Sequence, residues 1–292
     1  MRTMQIVNIR PDGWVFAESW REATEALHFG FAELGIDIPI SDNYFIPDAT
    51  PIVFGAHHLS ESGAGKLPAD AILYNFEQLK EGYPWFKPHY LELLRRFRIW
   101  DFSTRNIEYL HRSSTSPDAR HVPVGYVPQL SRIEPVAQDI DVLFFGRMTD
   151  RRKRVLEGLA DLGLNVRFLV GVFGQERDRW IARSKVVLNI HASAGGLFEH
   201  LRVLYLLANK KAVVTEPGVA NELDPELMLG LETVPYDRLI ESCTELARNP
   251  DARQTLADTG YNIITSPSRR MSRILGGLAE FQNCSAGGTN KA

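Results

Sequence analysis

Short runs of wholly apolar residues recur along this chain, each closing on small or polar ones and each followed by a stretch of helical spacing. DVLFFG, KVVLNIHAS and AVVTEPG are the clearest. Within these runs apolar and polar residues do not alternate, so the strands they form have both faces covered. Strands of that kind lie in parallel sheets, and parallel neighbours need crossover connections, usually helices. The chain therefore reads as α/β.

The first half follows that pattern. MQIVNI reads as a strand, and residues 16–34 carry apolar side chains at helical spacing (Phe16, Trp20, Ala23, Ala26, Leu27, Phe31, Leu34) up to Gly35, a natural helix stop. PIVFGAHH, AILYNFEQL and FRIWDFS read as further strands, with helices over 89–96 and 104–110, and HVPVGYVP closes the half. Residues 130–138 have weak periodicity and are the expected linker. Beyond them DVLFFG, NVRFLVG, KVVLNIHAS, AVVTEPG and LETVPY predict strands. TDRRKRVLEGLADLG, QERDRWIARS and FEHLRVLYLLANKK predict the intervening helices, with later ones over 237–248 and 268–281. Two α/β domains of similar size are expected, 1–130 and 139–292.

A hydrophobic content of 44% with 24% charged residues suits a folded chain of 292 residues and argues against disorder. The net charge of -3 gives no global basic field, so nucleic acid or an anionic membrane would need a local patch. Cys243 and Cys284 lack metal-ligand spacing and make no disulfide framework, which suits a reducing cytoplasm; peripheral contact with the inner membrane stays open. No run reaches the roughly 18 apolar residues of a transmembrane span.

In open parallel sheets ligands bind beyond the carboxyl ends of the strands. The polar residues expected there are His57, His58, Asn75, Glu77, Asp101, Gly146, Arg147, His191 and Glu216, and two facing domains would bring these ends to one cleft. In FFGRMTDRRKR a strand ends at Gly146, and Arg147 and Arg152 flank the turn that opens a helix. Glycine permits close backbone approach, a helix N-terminus attracts anions, and arginine forms charge-assisted bonds to phosphate oxygens, so a diphosphate suits the place. The alternative is a basic, solvated helix face.

In KVVLNIHASAGGLFEHLRV the strand ends at His191, residues 193–196 form a small-residue loop, and a helix is expected from Leu197 or Phe198. Backbone amides around Gly195, Gly196 and Leu197 would then be free to bind an anion. Glu199 and Arg202 fall three apart on one helix face: the carboxylate can take ribose hydroxyls and the arginine a phosphate, or the two pair with each other. His57, Glu77 and Asp101 are candidate catalytic groups that could serve an acceptor hydroxyl as base, and Asp101 is equally a candidate helix cap. His191 is a fourth, able to donate a bond beside a diphosphate. The cluster Tyr83, Pro84, Trp85, Phe86 suits loop packing or stacking on a ring.

The segments GRM, Arg152, KVVLNIH, FE and LLANKKAVVTE together resemble the C-terminal domain of GT-B glycosyltransferases of the family-4-like group (glycosyl transferases group 1), particularly short bacterial members. YNFEQ and WDFSTRN extend the likeness loosely into the first half. The resemblance implies two Rossmann-like domains facing across a cleft, the first on the acceptor side and the second binding the nucleotide-sugar. It implies transfer of a sugar from a nucleotide-diphosphate-sugar, such as a UDP-sugar, to a hydroxyl acceptor: a glycan, a lipid-linked glycan or a small molecule. Arg147 and Arg152 would hold the diphosphate, and a helix glutamate the ribose or sugar. Tyr205 stands where a second glutamate is expected, and Lys210 and Ala212 where Gly and Pro would fall, so the ribose goes to Glu199 or, alternatively, Glu216.

Fixed donors aimed at the departing diphosphate, from Arg147, Arg152 and the amides of Gly195 and Gly196, would carry its charge with no metal cofactor. The acidic pair Asp139 and Asp141 precedes its strand and is expected away from the site. Two other readings stand beside this one. One is a glycosyltransferase-like binding protein without turnover; the other is a transferase acting on hydroxymethylated DNA bases, for which Arg95, Arg96, Arg98, Arg105 and Arg112 would supply a basic groove. Arg152→Ala is expected to weaken donor binding severely and leave the fold intact.

Overall fold

The computed structural model describes residues 3–194, 196, 198–218 and 224–278. The strands are β1 (Met4–Asn8), β2 (Ile40–Asp42), β3 (Thr50–Phe54), β4 (Ile72–Asn75), β5 (Arg98–Asp101), β6 (Arg120–His121), β7 (Ile140–Phe145), β8 (Val166–Leu169), β9 (Ser184–Asn189), β10 (Ala212–Thr215) and β11 (Glu232–Thr233). They form a six-stranded sheet, β2-β1-β3-β4-β5-β6, and a five-stranded one, β11-β10-β9-β7-β8. Every pairing in both is parallel, as the unalternating apolar runs require. Each sheet with its helices is a Rossmann-like α/β unit.

In each sheet the first strand in sequence lies inside, with the second strand on one side of it and the third on the other. The chain reverses its direction of winding at β1/β3 and again at β7/β9, and such switch points open a crevice beyond the strand ends. In the second unit Val142 and Phe144 of β7 join one apolar cluster with Val155, Leu156 and Leu159 of helix Asp150–Asp161 and with Leu239, Cys243 and Leu246 of helix Leu239–Arg248. In the first, Val7, Val53, Leu73 and Ile99 cluster with Leu93 and Leu94 of helix Pro88–Arg96 and Leu110 of helix Thr104–Arg112. Each such side chain fully removed from water stabilises the fold by about 1.5–3 kcal/mol, which makes these strands rigid supports for the residues at their ends.

The chain divides into two compact units, one holding the residues up to Gly125 and the C-terminal helix, the other Tyr126–Arg269. The sequence reading gave that last helix to the second half; it packs instead on the first helix, Arg21–Glu33. A Cβ added to Gly30 would lie 2.6 Å from Met271 Cγ, so only a glycine lets Met271 come this close. Gly125 N also donates to Met271 Sδ at 3.1 Å. The helix itself is shorter than 268–281: a 3-10 turn Pro267–Arg269 precedes Met271–Gly276, and Phe281 lies outside the described residues.

Much of the expected linker is bound to the second unit. Ser131 Oγ donates to the Ala208 carbonyl at 2.7 Å, and Arg132 N and Ile133 N both donate to Asn209 Oδ1, at 2.9 and 2.8 Å. The first helix begins with a 3-10 segment, Val15–Trp20, and stops as expected at Gly35, whose φ is +75°. Helix Pro250–Ile264, capped by Asn249, is an element the periodicity did not place.

Candidate functional site

The second unit gathers its candidates beyond the ends of β7, β9 and β10. Gly146 follows β7 with φ +139°, and a Cβ there would stand 3.1 Å from Arg202 Nη2, so glycine meets both the backbone and the space. Thr149 then caps helix Asp150–Asp161, its side chain accepting from Arg152 N. Arg147 is exposed and, among the described residues, has no ion-pair partner within reach.

Arg152 differs: its relative exposure is 3%, and the protein uses most of its donors. Nε and Nη2 donate to the Ile190 carbonyl at 2.9 and 2.6 Å, Nη1 to the Arg147 carbonyl at 2.7 Å, and Nη2 to Glu199 Oε1 at 3.0 Å. The guanidinium also lies over the Phe144 ring. Burial lowers its pKa to about 10, partly offset by Glu199 and reinforced by Arg202 and Arg147, so it stays charged at neutral pH. Arg152 thus joins the loop after β7 to the loop after β9.

Glu199 lies between two arginines, accepting from Arg152 and from Arg202 Nη2 at 2.5 Å. Arg202 in turn donates to Asn189 Oδ1 at 2.8 Å and sits over Phe145. The three-residue spacing holds, but the helix starts at His200 rather than Leu197 or Phe198, with Glu199 at its N-cap making no cap hydrogen bond because its carboxylate is committed to the arginines. Gly195 and Leu197 lie outside the described residues. Gly196 is packed close to His191, where a Cβ would meet His191 Cβ at 3.4 Å.

Glu216, the alternative ribose ligand, is buried and engaged. Both of its oxygens accept from Arg151, whose guanidinium lies 3.9 Å from the Tyr236 ring centroid, and Oε1 also accepts from His191 N at 3.0 Å. Arg151, which the sequence reading did not single out, is therefore a fixed member of the site. His191 Nε2 is 3.1 Å from the Pro217 carbonyl, which places the imidazole proton on Nε2. Nδ1, buried and without a hydrogen-bond partner, is left as an acceptor, where the sequence reading expected a donor.

In the first unit Glu77 and His57, from the loops after β4 and β3, meet at 3.5 Å between Oε1 and Nε2. Burial raises the Glu77 carboxyl to about 7. Burial and the neighbouring His58 lower His57 to about 3, so its imidazole is neutral. Trp85 packs against both histidines, tilted to His57 and edge-on to His58, with ring centroids 4.5 and 4.9 Å away, and Trp20 and Tyr90 edge onto His57. Asp101 is fully buried at the end of β5, where Ser103 rather than Asp101 caps the following helix.

Of the five arginines considered for a basic groove, Arg105 alone follows a strand end, in the first turn of helix Thr104–Arg112 beyond β5; the other four lie elsewhere. Arg95 and Arg96 close helix Pro88–Arg96 and Arg98 opens β5, at the opposite end of that strand from Asp101. Arg95 pairs with Glu92, Arg112 lies near Glu108, and Arg98 donates to the Asp70 carbonyl. Asp139 and Asp141 pair with Arg183 and Lys185 around the start of β7. Among the described residues no group of three or more His, Cys, Asp or Glu could hold a metal ion, and no helix is long and apolar enough to cross a membrane.

No family model matches the chain. Its fold is that of the GT-B glycosyltransferases, two Rossmann-like units in one chain. A point mutant of T4 phage β-glucosyltransferase in complex with UDP-glucose superposes with a TM-score of 0.61 at 14% identity, covering 97% of this chain and 99% of that one. Sucrose-phosphate synthase from Thermosynechococcus elongatus gives 0.59 at 11% identity, covering 97% and 99%. Anabaena HepE, in complex with UDP and glucose, gives 0.59 at 12%, covering 96% and 99%. A further T4 phage structure contains UDP and Mn2+.

In sequence, an uncharacterised protein of Acanthamoeba polyphaga mimivirus is 26% identical over 224 residues, 73% of this chain and 70% of that protein. A second mimivirus protein is 26% identical over 258 residues, 83% of this chain but 33% of that longer protein.

Proposed function

We propose that the chain is a glycosyltransferase that moves a sugar from a nucleotide-diphosphate donor to a hydroxyl acceptor, and that the second unit binds the donor diphosphate. The observation that supports this most is a charge imbalance at the β7/β9 switch point. Among the described residues, Arg147, Arg151, Arg152 and Arg202 find only Glu199 and Glu216 as ion-pair partners. That leaves two positive charges in excess, and a diphosphate diester brings two negative ones. Arg147 is the exposed member and the natural direct contact. Arg152 acts from behind, holding the Arg147 and Ile190 carbonyls in place.

As the glycosidic bond breaks, negative charge grows on the departing diphosphate, and fixed arginines aimed there stabilise the transition state more than the ground state. In this reading they carry charge that a divalent cation would otherwise carry. For the proton of the acceptor hydroxyl, the first unit offers Glu77, whose pKa of about 7 lies near the working pH of a general base. The acceptor is a glycan, a lipid-linked glycan or a small molecule, with DNA the alternative: of the five first-unit arginines only Arg105 follows a strand end.

The test is calorimetric titration with UDP and a panel of UDP-, GDP- and ADP-sugars, followed by donor hydrolysis with EDTA or with Mn2+. Arg147→Ala is expected to raise the donor Kd by about 10- to 100-fold, the worth of one charged hydrogen bond. Failure of the wild type to bind any nucleoside diphosphate would sink the proposal.

A further inference from the structure

Every hydrogen bond to the Asp101 carboxylate is donated to it. Asn75 Nδ2 reaches Oδ2 at 2.6 Å, Asn106 Nδ2 lies 3.2 and 3.1 Å from Oδ1 and Oδ2, and Ser103 N reaches Oδ1 at 2.8 Å. A primary amide has a donor end and an acceptor end, so an anion that accepts both Nδ2 groups turns both Oδ1 atoms the other way. There they meet backbone donors: Glu77 N donates to Asn75 Oδ1 at 3.0 Å and Leu79 N to Asn106 Oδ1 at 3.0 Å. Both Nδ2 groups also donate to the Glu77 carbonyl, at 2.9 and 2.8 Å, and Tyr90 Oη donates to Asn75 Oδ1 at 2.7 Å. Two asparagines therefore hold the backbone on both sides of Glu77, and one carboxylate sets the direction of both.

We propose that Asp101 is a positioning residue: by fixing the polarity of Asn75 and Asn106 it holds the segment that carries the general base Glu77. This rests on the role given to Glu77 above. Asp101 is itself 0% exposed and does not touch substrate. The network has a cost, since burying a carboxylate without a cationic partner is unfavourable: burial raises Asp101 to about 8, three donors offset part of this, and the anion prevails above that pH, where both measurements are made. Satisfied polar networks of this kind fix one geometry, and general-base catalysis is sensitive to geometry at the ångström scale.

The first measurement needs no substrate. In Asp101→Asn at pH 8.5, hydrogen exchange at the Glu77 and Leu79 amides should quicken about tenfold, the worth of one net hydrogen bond, while Leu73 and Ile99 within the sheet keep their rates. Unchanged exchange at Glu77 overturns the proposal. The second measurement is transfer: kcat should fall about 100-fold with the donor KM unchanged, and the same substitution should cost nothing further in a Glu77→Gln background. An equal loss in both backgrounds overturns it, because Asp101 would then act independently of Glu77. Asn106→Ser leaves Asp101 in place and should reproduce the loss, which guards against a misfolded Asp101→Asn. If the wild type turns over no donor, the transferase reading fails, while exchange at Glu77 still decides whether the tether exists.

Discussion

Replacing Arg152 with alanine separates holding the loops from holding the ligand. The side chain is almost wholly buried, and its removal leaves the Ile190 carbonyl without two donors, the Arg147 carbonyl without one, and Glu199 with only Arg202. Breaking a buried, hydrogen-bonded ion pair typically costs about 3–5 kcal/mol, and the orphaned carbonyls fall within that figure. For a chain in this size range each kcal/mol shifts Tm by roughly 2–4 °C, so Arg152→Ala should melt about 6–20 °C lower. The sequence had suggested an intact fold, because nothing in it reveals that this arginine faces inward. Arg147→Ala, at an exposed position, should stay within about 0.5 kcal/mol of wild type. Thermal unfolding and urea titration of both variants, with and without UDP, provide the comparison. An Arg152→Ala protein with the wild-type Tm would refute the structural role and return Arg152 to direct ligand contact.

A general base with a pKa of about 7 gives kcat/KM an acid limb there, the rate rising as Glu77 loses its proton; Glu77→Gln should abolish the limb together with most of the rate. Stability should run the other way. Glu77 and Asp101 have folded pKa values of about 7 and about 8, above their ordinary 4.5 and 3.8, so the native state binds the extra protons. Their contribution is full below those ordinary values and is lost as pH rises through 7 and 8; His57, lowered to about 3, opposes this as pH falls below 6.5. Urea midpoints should decline from pH 6.5 to about 8 and level off above it, and Asp101→Asn should flatten the decline. Lys210 occupies a left-handed backbone position, φ +52°, just after helix His200–Ala208. Lys210→Gly should therefore stabilise the fold by about 0.5–1 kcal/mol, after allowing for the lost contact with the Tyr261 ring, and a lower urea midpoint would contradict this.

The strands were legible because burial on both faces leaves a continuous apolar run. β2 left no such mark, since Ile40 and Asp42 are exposed, and β6 is two residues long. The turn at Gly146 was legible for a local reason: strand end, glycine, arginine and helix cap follow one another directly in the chain. Arg151 was missed because its partner Glu216 is 65 residues away, on another strand end, and helical spacing alone did not say which of five neighbouring charges turns inward. His57 and Glu77 were both legible as strand-end residues, but their meeting depends on β3 lying beside β4.

What no spacing rule could supply is the environment of each acid. Asp101, Glu77 and Glu216 all follow or end buried parallel strands, and in the sequence they are equivalent candidates. Glu216 has both oxygens bound by Arg151, which suits it to holding that arginine in place. Asp101 is surrounded by amide donors and sealed from solvent, which suits it to orienting its neighbours. Glu77 faces a neutral imidazole and, among the described residues, meets no arginine or lysine at ion-pair distance, so its carboxyl is free to exchange a proton near neutral pH. The number and kind of donors around each carboxylate, rather than its place in the motif, are what favour Glu77 in the proposed role of general base.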